Sequence, residues 1–164
     1  MSAAFPATEF AQRAELMAAL SLADPSAPEA GEPALEATDR ALVLARQLGD
    51  QRSEALAAGW RCLHQFRHGR HGDVVNHART ALTLLHAQAL DIEERELLRA
   101  LALSANETAR FDLAIEAAQE LVQLAATVDE PGATLAATFV LTACLERMGD
   151  SWQALRVLAE ALAD

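Results

Sequence analysis

Apolar and small residues recur on one helical face in this chain, and the same face returns every forty residues. In the stretch from Arg110 to Ala125, these residues follow spacings of 4, 3 and 1, which place them on one side of an α-helix. A shift of forty residues brings equivalent residues into four columns: Ala34, Val74, Ala114 and Ala154; Thr38, Ala78, Ala118 and Leu158; Ala41, Ala81, Leu121 and Ala161; and Leu42, Leu82, Val122 and Leu162. The pattern predicts four copies of one amphipathic helix.

A second amphipathic helix precedes each of these copies. Glycine and aspartate recur between the helices, as at Gly49–Asp50 and Gly149–Asp150, and both are typical of helix ends and caps. The predicted unit is therefore a helix, a short turn and a helix. The first helices of the units are predicted at Ala7–Leu22, Gln51–His68, Asp91–Ala109 and Ala133–Met148.

Stacking explains this repetition, because one helical hairpin cannot bury both of its apolar faces whereas neighbouring hairpins bury them against one another. We therefore predict an all-α, right-handed α-α superhelix of about four helix pairs, forming a single domain over residues 1–164. Regular repeats are expected over residues 33–164. Residues 1–32 are expected to be a looser first helix followed by a linker, since three prolines and a glycine lie within Asp24–Pro33.

Composition and charge narrow the classes of partner. The 164 residues include 24 acidic and 13 basic side chains, giving a net charge of −11, which disfavours direct binding of nucleic acid. No uncharged apolar run approaches the ~20 residues of a membrane span, and the first residues lack the pattern of a signal peptide. The two cysteines, Cys62 and Cys144, do not form a disulfide framework. We expect a cytoplasmic protein with no membrane partner.

The columns resemble the tetratricopeptide repeat in its extended form, with units of about forty residues. The last unit fits best, with Gly149, Ala154, Leu158 and Ala161 at the positions where that family prefers these residue types, although Ser151 stands at an apolar site. The preceding unit matches at Phe111, Ala114, Ala118 and Leu121, with Ala109 in place of the glycine. The resemblance covers residues 33–164, and the first helix containing Arg61, Cys62 and Gln65 departs from it.

The resemblance implies a protein- or peptide-binding module. Similar repeats form the N-terminal sensory or scaffolding region of longer bacterial signalling proteins, ahead of a GGDEF or LuxR-type output domain that would lie outside this chain. In such superhelices the first helix of each pair lines the concave face, where arginines would engage carboxylates and an asparagine the peptide backbone. The peptide-binding residues implied by this likeness are Leu63, Phe66, Arg67, Arg99, Leu103, Asn106, Phe139, Glu146 and Arg147.

No motif for catalysis or nucleotide binding occurs in the sequence, so neither an enzyme nor a cofactor is expected. A small-ligand or metal sensor is an alternative, because His64 and His68 share a helical face and His71 follows in the turn. A solvated helix end is the preferred explanation of these histidines.

A homo-oligomerisation scaffold is a further alternative. Leu155, Leu158 and Leu162 lie on the packing side of the last helix, where they would lack a following neighbour. A homodimer through this helix would cover them. Trp152, in the turn before them, is expected to pack between repeats.

Overall fold

Eight α-helices make up the part of the chain that the structure, a computed structural model, describes: residues 7–26, 32–128 and 132–163. The all-α prediction is confirmed, and the first helices of the units begin at the predicted residues. Residues 27–31 of the predicted linker lie outside the described residues. The helices are α1 (Ala7–Ala23), α2 (Glu32–Leu48), α3 (Gln51–Arg67), α4 (His71–Ala87), α5 (Asp91–Glu107), α6 (Phe111–Ala125), α7 (Ala133–Met148) and α8 (Ser151–Ala163).

The helices stack in two layers. Each helix packs against the next one along the chain, and the odd-numbered helices α1, α3, α5 and α7 also contact one another in order. Within the described residues, the backbones of the even-numbered helices approach only odd-numbered helices. This arrangement is that of an all-α helical-repeat solenoid, in which each hairpin supplies the apolar wall of its neighbour. No helix in the described ranges is long and apolar enough to cross a membrane.

The turns repeat every twenty residues rather than every forty. Residues 49, 69, 89, 109 and 149 all have positive φ, between 50° and 93°. In each turn the N–H of the following residue donates to a carbonyl five residues earlier, at 2.8 to 3.1 Å. This is the hydrogen bond of a Schellman motif, which satisfies a carbonyl at the helix end. The same turn, two or three residues long, therefore occurs both within hairpins and between them.

The small-residue columns form the contact between layers. Ala34, Val74, Ala114 and Ala154 are all at most 2% exposed, so helices approach closely along this column. A second apolar cluster joins α1 to the solenoid through Leu16 and other residues of the first three helices. From α2 to α6 the predicted columns are buried or half-buried, whereas Leu162 of α8 is exposed, so the repeat predicts the core except at the last helix.

Candidate functional site

An open groove lies between α5 and α7 on the solvent-facing side of the odd-numbered helices. Its volume is about 530 Å³, and the end of α6 forms part of its wall through Leu121 and Ala125. The side chains of α7 that line it are small, which leaves space opposite the longer side chains of α5. The principal lining residues are Ile92, Glu96 and Arg99 from α5, and Ala136, Ala137 and Val140 from α7.

The connection between α6 and α7 departs from the regular turn. It comprises residues 126–132, and α7 begins at residue 133 rather than at 131, where the twenty-residue interval between the starts of the other helices would place it. Gly132, with a φ of 84°, precedes the first residue of α7. The groove lies beside this longer connection, with Ala125 and Ala133 on either side of it among the lining residues.

Arg99 is exposed and lines the groove without a hydrogen bond or an ion pair to any residue in the described part of the chain. Most other arginines are engaged: Arg147 Nη1 lies 2.6 Å from Glu107 Oε1, and Arg79 pairs with Glu116 and Glu120. Arg110 is the other arginine with no such contact among the described residues, and it lies outside the groove. The guanidinium of Arg99 is therefore available to an anionic group.

The predicted peptide-binding residues separate into accessible and buried ones. Phe139 is 52% exposed on α7, in the column of Arg99, and Glu146 is also exposed. Leu63 and Asn106 are only 6% and 4% exposed, so neither offers a surface to a partner.

The remaining predicted residues have contacts of their own. Arg67 donates to the carbonyl of Pro25, and Arg147 holds its ion pair with Glu107. Phe66 and Leu103 are half-buried, and the ring of Phe66 meets that of a neighbouring histidine edge-on. Of the predicted set, Arg99 is at the groove and Phe139 is beside it.

Sequence reasoning missed Ile92, which is 66% exposed and lines the groove. The available indication was a single isoleucine within the acidic first turn of α5, between Asp91 and Glu93. An apolar side chain in such a charged turn is a candidate contact for a partner.

The three histidines of the predicted cluster occupy different surroundings. His64 is fully buried, and its Nε2 lies 2.8 Å from the carbonyl oxygen of Ala23, the last residue of α1. His71 Nδ1 lies 3.1 Å from Ser104 Oγ, and His68 is exposed. Among the residues that the structure describes, no group of three His, Cys, Asp or Glu side chains is placed to hold a metal ion.

Burial determines the protonation of His64. Loss of solvent lowers the pKa of this imidazole, and the nearby charges of Arg67 and His68 lower it further, against the opposing effects of the Ala23 carbonyl and Asp24. Its Nδ1 is buried with no partner in the described residues. His64 is thus a neutral side chain that ties the end of α1 to α3.

The last helix exposes an apolar face that its counterparts bury. Trp152, Leu155 and Leu162 are 80%, 61% and 65% exposed, so the expected packing of Trp152 between repeats is not found. Leu35 and Leu42, which stand in the columns of Leu155 and Leu162, are at most 8% exposed on α2. In this structure α8 therefore presents an exposed apolar surface.

These features define an all-α helical-repeat solenoid with an open groove on its odd-numbered helices and an apolar face on its last helix. No model of a known protein family matches the chain, and no curated protein matches it either.

Proposed function

We propose that this chain is a peptide-binding module of the tetratricopeptide type, and that the groove between α5 and α7 holds a short segment of a partner protein. The observation that carries the proposal is the guanidinium of Arg99, unpaired among the described residues, in a groove whose α6 and α7 walls are apolar. A carboxylate of the segment would pair with Arg99, and an apolar side chain would pack against Ile92 and Val140.

The chemistry of the groove suits a weak and selective interaction. One apolar side chain buried from water contributes about 1.5–3 kcal/mol. A charge-assisted hydrogen bond to an exposed guanidinium adds on the order of 1 kcal/mol after solvent screening. Part of this gain offsets the ordering of the peptide, so affinities in the micromolar range or weaker are expected.

The biological setting follows from the resemblance of the repeat columns. We propose that the module is the sensory or scaffolding region of a longer bacterial signalling protein in the cytoplasm, and that a GGDEF or LuxR-type output domain lies outside this chain. Binding without catalysis is the proposed role. The repeat columns from residue 33 onward support this setting.

A peptide library tests the groove. Random peptides displayed on phage are selected on the wild-type protein, and the enriched peptides are titrated against variants by fluorescence polarisation. Enriched peptides should share an acidic and an apolar residue, and Arg99→Glu should weaken their binding at least tenfold. Arg110→Glu is the matched control, because it reverses the other arginine that makes no ion pair within the described ranges and changes the net charge equally. Selection of no peptide, or equal binding by both variants, would refute the proposal.

A homo-oligomerisation scaffold is the second candidate, and the exposed apolar face of α8 supports it. Two copies could cover Trp152, Leu155 and Leu162 by pairing their last helices. Sedimentation equilibrium of the wild type and of Leu155→Glu tests this role. A wild-type monomer at the highest soluble concentration would exclude it, whereas a dimer that the substitution dissociates would support it.

A further inference from the structure

A polar region lies between α2 and α4, and the equivalent positions of the next unit can be compared with it. Arg61 and Gln65 of α3 stand in the columns of Leu101 and Ala105 of α5. Both α5 residues are fully buried in the apolar core. Because the neighbouring unit packs apolar residues at the same places, the architecture itself does not require polar side chains there.

The same replacement occurs on the facing helix. Asp73 and His77 of α4 stand in the columns of Leu113 and Ala117 of α6, which pack on the core. Four apolar positions of one unit are thus polar in the preceding one. Breaks in a local packing rule, when they converge on one place, are characteristic of functional sites.

The four polar side chains line one pocket of about 190 Å³. This volume equals that of roughly six water molecules at ~30 Å³ each, so it suits a ligand of about six to nine non-hydrogen atoms. The polar lining residues are Asp39, Arg61, Gln65, Arg70, Asp73 and His77.

The cations of the pocket have partners. Arg61 Nε lies 2.9 Å from Asp39 Oδ1, and Arg70 Nη2 lies 3.0 Å from Glu32 Oε1. Glu32 and Arg70 are both exposed, so their ion pair is weak and can be exchanged for another carboxylate.

One buried acceptor of the pocket is unsatisfied. Gln65 is only 4% exposed, and its Oε1 is buried without a hydrogen-bond partner in the described residues. Asp73 is half-buried and His77 is exposed, and neither side chain makes a hydrogen bond or ion pair within that part of the chain. A buried acceptor without a partner destabilises a fold unless a ligand or water supplies the donor.

We propose that this pocket binds a small zwitterion of the amino-acid type. Its ammonium group donates three hydrogen bonds, to Gln65 Oε1, the Asp73 carboxylate and the His77 imidazole. Its carboxylate pairs with the Arg70 guanidinium in place of Glu32. The ammonium thus meets one carboxylate and the ligand carboxylate meets one guanidinium, while the exposed Glu32 carboxylate returns to solvent. This site is separate from the groove between α5 and α7 and does not depend on its function.

Binding is measured with the twenty free amino acids as probes, by thermal unfolding and then by isothermal titration calorimetry. At least one amino acid with a small side chain should raise the wild-type Tm in proportion to the logarithm of its concentration. Methylamine supplies only the ammonium group and acetate only the carboxylate. Methylamine should therefore bind more weakly than that amino acid, and acetate should bind more weakly still.

Variants separate a binding role from a structural one. Asp73→Asn should weaken binding at least tenfold, whereas Asp112→Asn, which removes a carboxylate from the first turn of α6, should leave it unchanged. The double variant Gln65→Ala and Asp73→Leu introduces the residues of the next unit, so it should fold with an equal or higher Tm and bind no amino acid. Arg99→Glu should retain full amino-acid binding.

Two results would overturn the proposal. If none of the twenty amino acids shifts the wild-type Tm, the pocket is not an amino-acid site. If the double variant unfolds at a lower temperature and the wild type binds nothing, the polar residues form a structural network. Loss of folding in the double variant alone does not decide the question, because the titration of Asp73→Asn then supports or refutes the site.

Discussion

Two of the five equivalent turns hold alanine in a conformation that favours glycine. Ala89 and Ala109 have φ values of 50° and 58°, and both are exposed. A residue with a Cβ in the left-handed region suffers a steric contact with the following carbonyl oxygen. Gly149, in the equivalent position, has the same sign of φ without that contact. We therefore predict that Ala89→Gly and Ala109→Gly stabilise the protein.

The magnitude follows from two opposing effects. Removal of the left-handed strain contributes about 1–2 kcal/mol per turn. The greater backbone freedom of glycine in the unfolded chain offsets this by about 0.4–1 kcal/mol. The net gain is roughly 0.5–1 kcal/mol for each substitution, and the two should add because they lie in separate turns. For a chain of this size, each kcal/mol raises the Tm by about 2–4 °C.

Urea unfolding followed by far-UV circular dichroism measures the gain as a higher midpoint at constant slope. Gly149→Ala is the reverse control: a Cβ there meets nothing within 4 Å, so its cost of about 1 kcal/mol comes from φ alone. Ala159→Gly, at an exposed position inside α8, should destabilise by about 0.5–1 kcal/mol. If Ala109→Gly lowers the midpoint as Ala159→Gly does, the strain assigned to the turn is refuted.

Three further predictions concern buried side chains. Burial lowers the pKa of His64 in the folded protein, so on acidification the unfolded chain takes up this proton at a higher pH than the folded chain. The free energy of unfolding should therefore fall as the pH drops below about 6.5. In urea melts, His64→Ser should reduce this dependence of the free energy of unfolding on pH. Burial raises the pKa of Cys62 to about 12 and also raises that of Cys144, so iodoacetamide at neutral pH should label neither thiol until the chain unfolds. Ala114→Leu should overpack its fully buried column and destabilise by roughly 1–3 kcal/mol, and an unchanged urea midpoint would contradict the packing.

The helices could be predicted because the spacing of apolar residues in the sequence matches the spacing of buried side chains in the structure. The column of Ala34, Val74 and Ala114 is buried as its spacing requires. The twenty-residue period of the turns could not be predicted in the same way. Odd and even helices bury different patterns of residues, so a shift of twenty residues aligns the backbone but not the side chains. Glycine in the sequence indicates the equivalent turns elsewhere, whereas alanine at positions 89 and 109 gives no such indication.

The groove was only partly predictable, because exposure depends on the rotation of each helix. Neighbouring residues differ by about 100° around a helix, so a small error in the assumed face exchanges a buried side chain for an exposed one. Asn106 is buried for this reason while Glu107 is exposed. Ion pairs between adjacent units cannot be predicted from the sequence either. Arg147 pairs with Glu107, forty residues away, whereas Arg99 pairs with no residue in the part of the chain that the structure describes.

Departures from a repeat become informative when the structure brings them together. The sequence shows that Arg61 and Gln65 break the apolar pattern of their helix, and either residue alone would suit a solvated surface. Packing of α2, α3 and α4 places them with Asp73 and His77 around one pocket, where Gln65 Oε1 has no hydrogen-bond partner among the described residues. Adjacent units have the same turns, so the two units differ at this pocket in their side chains alone. Replacing the polar side chains with the apolar residues of the next unit should therefore remove ligand binding while the chain still folds.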